Sequence, residues 1–199
     1  MNDHENVTGI ILAGGKSRRM GADKGLVLLG GKPMVQYAIE SLGLFCDRIL
    51  ISSNNPEYIR FGLEVIADSV ADAGPMAGIT SCLKQSTTER NLVLSCDMPL
   101  LQPVVLKTLL DNVYENTFVV PVDAEGRSEP LCAFYKRSSL AILEDLISAG
   151  SFRMTDLFLR APVKYLSPGD YPVKYNSQWF ANINSAEDLT NAGNIEDQE

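Results

Sequence analysis

The sequence predicts an α/β protein with a mainly parallel central sheet and helices on both of its faces. Three observations lead to this prediction. Short apolar runs alternate with amphipathic stretches along most of the chain. Many of these runs are continuously apolar, which is typical of strands buried on both faces of a parallel sheet. The regular alternation is the pattern of β-α-β crossovers, whose helices pack on either side of the sheet.

The individual elements follow from the same patterns. The apolar runs predict strands at 7–13, 48–53, 64–68, 91–97, 117–121 and 130–135. Apolar residues at helical spacing, several of them after a proline, predict helices at 33–44, 74–85, 103–114, 136–149 and 153–160. A capping box of Ser185 and Asp188 predicts the start of a last helix. Because no Pro/Gly/Ser-rich linker divides the chain, we expect one domain over 1–199, with flexible ends at 1–6 and 192–199.

The composition excludes several classes of function. Seventeen Lys and Arg residues against 25 Asp and Glu residues give a formal charge of −8, so we expect no nucleic-acid partner. The only histidine, His4, lies in a polar N-terminal segment, which argues against a histidine-dependent triad or a multi-histidine metal site. The four cysteines form no C-x-x-C pair, and the N-terminus lacks the apolar region of a signal peptide. We therefore expect a cytoplasmic protein without a membrane segment.

A glycine-rich and basic loop directly follows the first predicted strand. Residues 12–25, LAGGKSRRMGADKG, combine four glycines with the cations Lys16, Arg18, Arg19 and Lys24. In parallel sheets, ligands bind beyond the carboxyl ends of the strands. Glycine lets backbone N–H groups approach a phosphate closely, and lysine and arginine offset its charge. The loop therefore predicts a triphosphate site, although it has neither P-loop nor dinucleotide-fingerprint spacing.

The same loop resembles the signature L-A-G-G-x-[SA]-x-R-M-G-x-x-K of nucleotidyltransferases with a Rossmann-like fold. Its Asp23-Lys24 ending is most similar to the molybdenum cofactor guanylyltransferases. Further motifs of that family follow in order along the chain: GPMAG at 74–78, CDMPLL at 96–101, EPLCAFY at 129–135 and NINSAEDL at 182–189. The chain departs from the family at Glu129, where many relatives have histidine, and at Ser185-Ala186, which replaces Thr-Pro. The resemblance implies a three-layer Rossmann-like α/β fold.

The resemblance also implies a reaction. GMP would be transferred from GTP to the phosphate of molybdopterin with release of pyrophosphate and with Mg²⁺ as cofactor, and cofactor-assembly proteins would be further partners. A phosphate monoester is already anionic at neutral pH, so its attack needs no strong base. Two alternatives stay open: a sister enzyme that uses CTP on molybdopterin or another nucleotide on a sugar phosphate, and a catalytically silent GTP-binding regulator.

Site residues follow from the family motifs, position by position. The catalytic residues would be Arg19, Lys24 and Asp97, with Asp97 as the Mg²⁺ ligand. The GTP-binding residues would be Leu12, Ala13, Gly14, Gly15, Lys24, Asn54, Asp68, Gly78 and Asp97. Glu129-Pro130 and the segment 182–184 would belong to the acceptor side, with Asn182 and Asn184 as contacts.

Structural roles remain open at several of these positions. Asn55 competes with Asn54 for the position after its strand, and an Asn-Asn-Pro turn is a plain alternative. Asp72 competes in the same way with Asp68. GPMAG at 74–78 is also suited to a tight helix start, and the asparagines before the last helix are equally suited to opening it.

Overall fold

The computed structural model of the chain describes residues 6–14, 23–70 and 73–196. Gly15 and Arg19, two of the predicted site residues, lie outside the described residues, as does Asp72. The described residues form strands β1 (Val7–Leu12), β2 (Leu28–Leu29), β3 (Lys32–Pro33), β4 (Arg48–Ser52), β5 (Glu64–Ile66), β6 (Arg90–Ser95), β7 (Phe118–Pro121), β8 (Cys132–Lys136) and β9 (Val163–Leu166). They form helices α1 (Met34–Gly43), α2 (Pro75–Gln85), α3 (Pro103–Asp111), α4 (Leu140–Ser148), α5 (Met154–Phe158) and α6 (Ala186–Glu196).

A seven-stranded sheet with the order β5-β4-β1-β6-β8-β7-β9 forms the centre of the protein. Its neighbouring strands pair in parallel, except that β8 is antiparallel to both β6 and β7. The loop from β7 to β8 makes this reversal, since antiparallel neighbours need only a short connection. The prediction of a mainly parallel sheet is therefore confirmed.

The helices cover both faces of this sheet, which confirms the predicted three layers. Ile11 of β1 packs in a buried cluster with residues of α1 and α3. Its neighbour Ile10 packs in a second cluster with residues of α2, α4 and α5. Successive residues of a strand point to opposite faces, so the continuously apolar runs supply both clusters. In the described part of the chain, no helix is long and apolar enough to cross a membrane.

Three features differ from the sequence prediction. The edge strand β9 was not predicted, because Lys164 and the half-exposed Tyr165 interrupt its apolar pattern. The β2–β3 hairpin, with two residues in each strand, was also missed. The segment 192–196, expected to lie in a flexible end, is part of helix α6. Ala192 of this helix is buried in a small cluster with Leu29.

The register of the parallel strands determines where the site lies. Leu12 of β1 pairs with Ser52 of β4 on one side and with Ser95 of β6 on the other. One residue further on, the Ala13 N–H still donates to the Ser52 carbonyl at 3.0 Å. The three strands therefore end together, and the loops that follow them meet at one edge of the sheet.

Candidate active site

Lys24 and Asp97, both predicted to be catalytic, are in direct contact at this edge. The Lys24 Nζ donates to Asp97 Oδ2 at 3.2 Å, and the two side chains are 23% and 16% exposed. The same Nζ donates a hydrogen bond to Oδ1 of Asn184. A predicted catalytic pair and a predicted acceptor-side residue thus form one cluster, although 160 positions separate Lys24 from Asn184.

The segment around Asp97 explains how these residues meet. Oδ1 of Asp97 accepts a hydrogen bond from Ser95 Oγ at 2.5 Å, which orients the carboxylate at the end of β6. The backbone carbonyl of Asp97 accepts from the N–H of Ile183 at 2.9 Å. Ile183 is buried, so the segment before α6 is fixed against the end of β6. This contact brings the neighbouring Asn184 within reach of Lys24.

The start of α6 fixes Asn184 from the other side. The Asp188 N–H donates to Ser185 Oγ at 3.1 Å, as the predicted capping box requires. In a standard capping box, the Asp188 carboxylate would accept from the N–H of Ser185. Here it accepts instead from the N–H of Asn184, the preceding residue, at 2.8 Å. This hydrogen bond is the main reason that the pKa of Asp188 is lowered. Asn182 is exposed, and its carbonyl accepts from the Asn184 amide at 3.4 Å.

Asp23, which precedes Lys24, is held by three donors. Its Oδ1 accepts from the hydroxyl of Tyr58 and from the Gly25 N–H, the latter at 3.3 Å. Its Oδ2 accepts from Nδ2 of Asn55 at 3.0 Å. Tyr58 is fully buried, and burial raises its pKa, with the nearby Cys96 and the hydrogen bond to Asp23 acting in the same direction. The phenol therefore stays protonated and keeps donating to Asp23.

Gly25 makes this arrangement fit sterically. A Cβ at this position would collide with the Tyr58 hydroxyl and would lie 3.2 Å from Cys96 Sγ. The short 3-10 turn Lys24–Leu26 that begins after Asp23 can therefore lie directly against the tyrosine. The glycine of the Asp23-Lys24-Gly25 ending thus has a packing role.

Asn54 and Asn55, the two competing asparagines after β4, have different hydrogen-bond partners. Asn55 accepts from the Glu57 N–H at 3.0 Å and donates to Asp23, so both ends of its amide are used within the fold. Asn54 is exposed, and its Oδ1 accepts from the backbone N–H of Asp68 at 3.0 Å. Asn54 and Asp68, the two predicted GTP contacts, therefore lie beside each other at the edge of the sheet.

Asp68 and Gly78 both contact Ser52 at the end of β4. The Ser52 hydroxyl donates to Asp68 Oδ1 at 3.0 Å. Gly78 is buried in α2, where a Cβ would collide with the same hydroxyl and approach Leu12 to 3.3 Å. Gly78 thus allows close packing of α2 on the strand ends, and its direct part in GTP binding stays a prediction.

Three further predicted nucleotide contacts within the described residues lie at the end of β1. Leu12 and Ala13 are buried, whereas Gly14 is exposed. The Leu12 carbonyl accepts from the Cys96 N–H at 3.1 Å, and the Ala13 N–H is engaged with β4. Of these three residues, Gly14 is therefore the one whose backbone is accessible at the edge of the sheet. The guanine contacts expected of Leu12 and Ala13 stay predictions.

The donor set at Asp97 is suited to a magnesium ion. Within 6–14, 23–70 and 73–196, no three His, Cys, Asp or Glu side chains cluster as a metal site of their own. Asp97 instead supplies one partly exposed carboxylate, with oxygen atoms of Ser95 and Asn184 close by. Mg²⁺ binds hard oxygen ligands and commonly uses one or two carboxylates together with waters and substrate phosphates.

Sequence patterns did not indicate Tyr58 or Ser95 as parts of the site. Tyr58 lies in the 3-10 segment Pro56–Phe61, which has no strand or helix periodicity, and nothing in one sequence pairs it with Asp23. Ser95 is an interior residue of an apolar strand pattern. Its position two residues before Asp97 is the one signal that could have marked it, because alternate strand residues share a face.

A three-layer α/β sheet with a lysine and a carboxylate in contact at its carboxyl edge defines the class of Rossmann-like nucleotidyltransferases. The family model for the MobA-like NTP transferase domain matches residues 9–162. The chain belongs to this family.

Named relatives cover nearly the whole chain. A probable molybdenum cofactor guanylyltransferase of Flavobacterium johnsoniae is 34% identical over 93% of this chain and 95% of its own. A protein of the same description from Pyrococcus horikoshii is 36% identical over 90% of this chain and 95% of its own. The crystal structure of molybdopterin-guanine dinucleotide biosynthesis protein A from Archaeoglobus fulgidus superposes with a TM-score of 0.81 at 26% identity, covering 96% of this chain and 100% of that chain.

Proposed function

We propose that this protein transfers GMP from GTP to the phosphate of molybdopterin. An oxygen of the molybdopterin phosphate attacks the α-phosphorus of GTP in line and forms a new P–O bond. The bond between the α-phosphorus and the bridging oxygen to the β-phosphate breaks, and pyrophosphate leaves with the electron pair. The products are the guanine dinucleotide form of the cofactor and pyrophosphate.

The contact of Lys24 with Asp97 and Asn184 is the observation that carries this proposal. It brings a cation, a carboxylate and an acceptor-side amide together where the parallel strands end, which is where α/β proteins bind nucleotides. The names of the relatives that match at above 30% identity over nearly the whole chain support the choice of guanylyl transfer.

Each side chain then has a role in positioning and charge stabilisation. Lys24 offsets negative charge on the triphosphate and on the leaving pyrophosphate. Ser95 orients Asp97, which would hold Mg²⁺ together with phosphate oxygens. When bound there, Mg²⁺ would offset the charge of those oxygens. Asn184 links the acceptor side to Lys24, and Gly14 offers its accessible backbone to phosphate.

Two further roles are carried by residues outside the described part of the chain. Arg19 would bind the triphosphate beside Lys24, since a guanidinium can donate to two phosphate oxygens at once. Gly15 would let its backbone N–H approach a phosphate closely.

The experiment that tests this proposal is equilibrium binding of GTP with and without Mg²⁺, with CTP, UTP and ATP as competitors. We expect GTP to bind more tightly than the other nucleotides and Mg²⁺ to strengthen its binding. Tighter binding of CTP than of GTP would instead identify the protein as a sister nucleotidyltransferase. Absence of nucleotide binding would overturn the proposed site.

We also propose that the protein works in the cytoplasm with cofactor-assembly proteins. Cys46, Cys82, Cys96 and Cys132 are all free thiols, which suits a reducing compartment. Supply of molybdopterin by such a protein would be tested by co-purification from cells grown with molybdate.

A further inference from the structure

Ser52, the last residue of β4, is a buried polar side chain at the end of an apolar strand. It is 3% exposed. Leu50, two residues earlier, packs in the buried cluster that contains the apolar residues of α2. Alternate strand residues share a face, so Ser52 also points toward α2. A buried hydroxyl without a partner is costly, and Ser52 avoids this cost by donating to Asp68 Oδ1 at 3.0 Å.

Helix α2 leaves space for this hydroxyl at Gly78. A Cβ on Gly78 would collide with Ser52 Oγ and would lie 3.2 Å from Ser52 Cβ. Gly78 lies inside α2 and not at its end, where glycine is less favourable than alanine. The absence of a side chain at this position therefore serves the close approach of the Ser52 hydroxyl.

The same face of α2 also holds the residue after Asp68. Ser81 follows Gly78 by three positions, so both lie on one face of the helix. The buried Oγ of Ser81 accepts from the Ser69 N–H at 2.9 Å and donates to Ser69 Oγ at 3.0 Å. The Asp68 N–H in turn donates to Asn54 Oδ1 at 3.0 Å. The loop after β5 is therefore fixed both from α2 and from the end of β4.

These contacts leave one oxygen of Asp68 available. Its Oδ1 accepts from Ser52, whereas its Oδ2 makes no hydrogen bond or ion pair within the described part of the chain. An ionised carboxylate only accepts hydrogen bonds, so it pairs with hydroxyl or N–H donors and repels phosphate oxygens. A nucleoside carries such donors on its sugar and on its base. Asp68 is therefore suited to the nucleoside end of a nucleotide.

The strand order places Asp68 on the side of the site where that end would lie. Asp97 follows β6 and Asp68 follows β5, with β1 and β4 between these two strands. Neighbouring strands lie about 4.8 Å apart, so the two strand ends are separated by about 14 Å. An extended nucleoside triphosphate can span this separation. With its phosphates at Lys24 and Asp97, its nucleoside would reach Asp68.

We propose that Ser52 and Ser81 are positioning residues for GTP, which hold Asp68 so that its available oxygen faces the nucleoside. Gly78 contributes by admitting the Ser52 hydroxyl. Neither serine touches the nucleotide, and both act through the loop that carries Asp68. The inference rests on the proposed use of GTP and is independent of the acceptor.

The first test compares two ligands of Ser52→Ala, namely GTP and inorganic tripolyphosphate, each with Mg²⁺. We expect the Kd for GTP to rise about fivefold, as for the loss of one hydrogen bond, and the Kd for tripolyphosphate to stay the same, because only the nucleoside meets Asp68. An unchanged Kd for GTP, or an equal rise for both ligands, would overturn the proposal.

Ser86→Ala is the matched control for the loss of a buried hydroxyl. Ser86 is 1% exposed and donates to Asn91 Oδ1 at 2.6 Å. It directly follows α2 and precedes β6, so it lies at the opposite edge of the sheet, where the strands begin. We expect Ser86→Ala to lower the Tm as Ser52→Ala does and to change neither Kd. A rise of the Kd for GTP in both variants would assign the effect to general destabilisation and overturn the proposal.

A double-mutant cycle shows whether the serines act through Asp68. Ser81→Ala alone should raise the Kd for GTP about threefold. In an Asp68→Ala background, neither Ser52→Ala nor Ser81→Ala should raise this Kd further, because the group that they position is gone. Effects that persist in that background would overturn the proposal. Absence of GTP binding by wild type would overturn the proposed function as well, whereas equal binding by wild type and all variants would overturn this inference alone.

Discussion

The hydroxyl of Tyr58 donates a hydrogen bond to Asp23, the residue directly before Lys24. Tyr58 is fully buried, whereas Lys24 lies at the open edge of the sheet. A core residue thus fixes the start of the turn that presents the lysine to Asp97. The position of the lysine is therefore set by the core of the protein as well as by its contacts within the site.

Replacing this hydroxyl should reduce turnover without removing a group that touches substrate. We expect Tyr58→Phe to lower kcat about threefold to tenfold and the free energy of unfolding by about 1 kcal/mol, the usual contribution of one hydrogen bond. Steady-state kinetics and urea unfolding measure both effects. Tyr114→Phe, at a residue that is 81% exposed, is the control. Wild-type kcat in a stable Tyr58→Phe protein would remove Tyr58 from the positioning of Lys24.

Loss of the lysine itself should have a larger effect. We expect Lys24→Ala to lower turnover about 10²-fold or more, as is typical when one group that stabilises transition-state charge is removed. Lys107→Ala is the matched control, because Lys107 forms a surface ion pair with Asp111 at 2.6 Å. Unchanged kinetics in correctly folded Lys24→Ala protein would exclude Lys24 from the mechanism.

Asp97 is predicted to link GTP binding to the metal. Asp97→Asn keeps an acceptor for Ser95 but removes the charge that attracts a divalent cation. We therefore expect Mg²⁺ to stop strengthening GTP binding in this variant, whereas Asp111→Asn should behave as wild type. Titration calorimetry with and without Mg²⁺ measures the difference. A variant that still binds Mg²⁺-GTP normally would show that Asp97 is not the metal ligand.

Stability should fall in alkaline solution because the cysteines are buried. Burial raises the pKa of both Cys46 and Cys82 from near 9.0 to about 12. Above about pH 9 the unfolded chain loses these protons and the folded chain keeps them, so the free energy of unfolding falls as the pH rises, by up to about 1.4 kcal/mol per pH unit for each thiol.

Urea midpoints at about pH 7.5 and about pH 10 test this dependence. We expect a lower midpoint at the higher pH and a smaller difference in Cys82→Ala. Equal midpoints in wild type would contradict the assigned burial of the thiols.

The central part of the fold is predictable from sequence because its signals are local. Buried parallel strands give continuous apolar runs, and Pro75 and Pro103 mark helix starts at which a proline needs no hydrogen-bond donor. The edge strand β9 gives a weaker signal because one side of it is not covered. Its four residues are too few to identify a strand, since Lys164 and the half-exposed Tyr165 interrupt their apolar pattern.

The sequence motifs predict Lys24 and Asp97 as site residues, and the structure brings these two side chains into contact. The hydrogen bond from Tyr58 to Asp23 depends on segments that meet only in three dimensions. The contact of Asn55 with Asp23 is of the same kind, and the binding of GTP by Asn54 stays a prediction. A one-dimensional pattern carries no information on such contacts.

Pyrophosphate release from Mg²⁺-GTP, measured with and without molybdopterin in the same tube, tests the proposed reaction most directly. We expect release only when molybdopterin is present, with one GMP joined to the acceptor for each pyrophosphate. Release from GTP that is independent of molybdopterin would contradict guanylyl transfer to the molybdenum cofactor. Release that occurs only when CTP replaces GTP, or only when a sugar phosphate replaces molybdopterin, would contradict it as well.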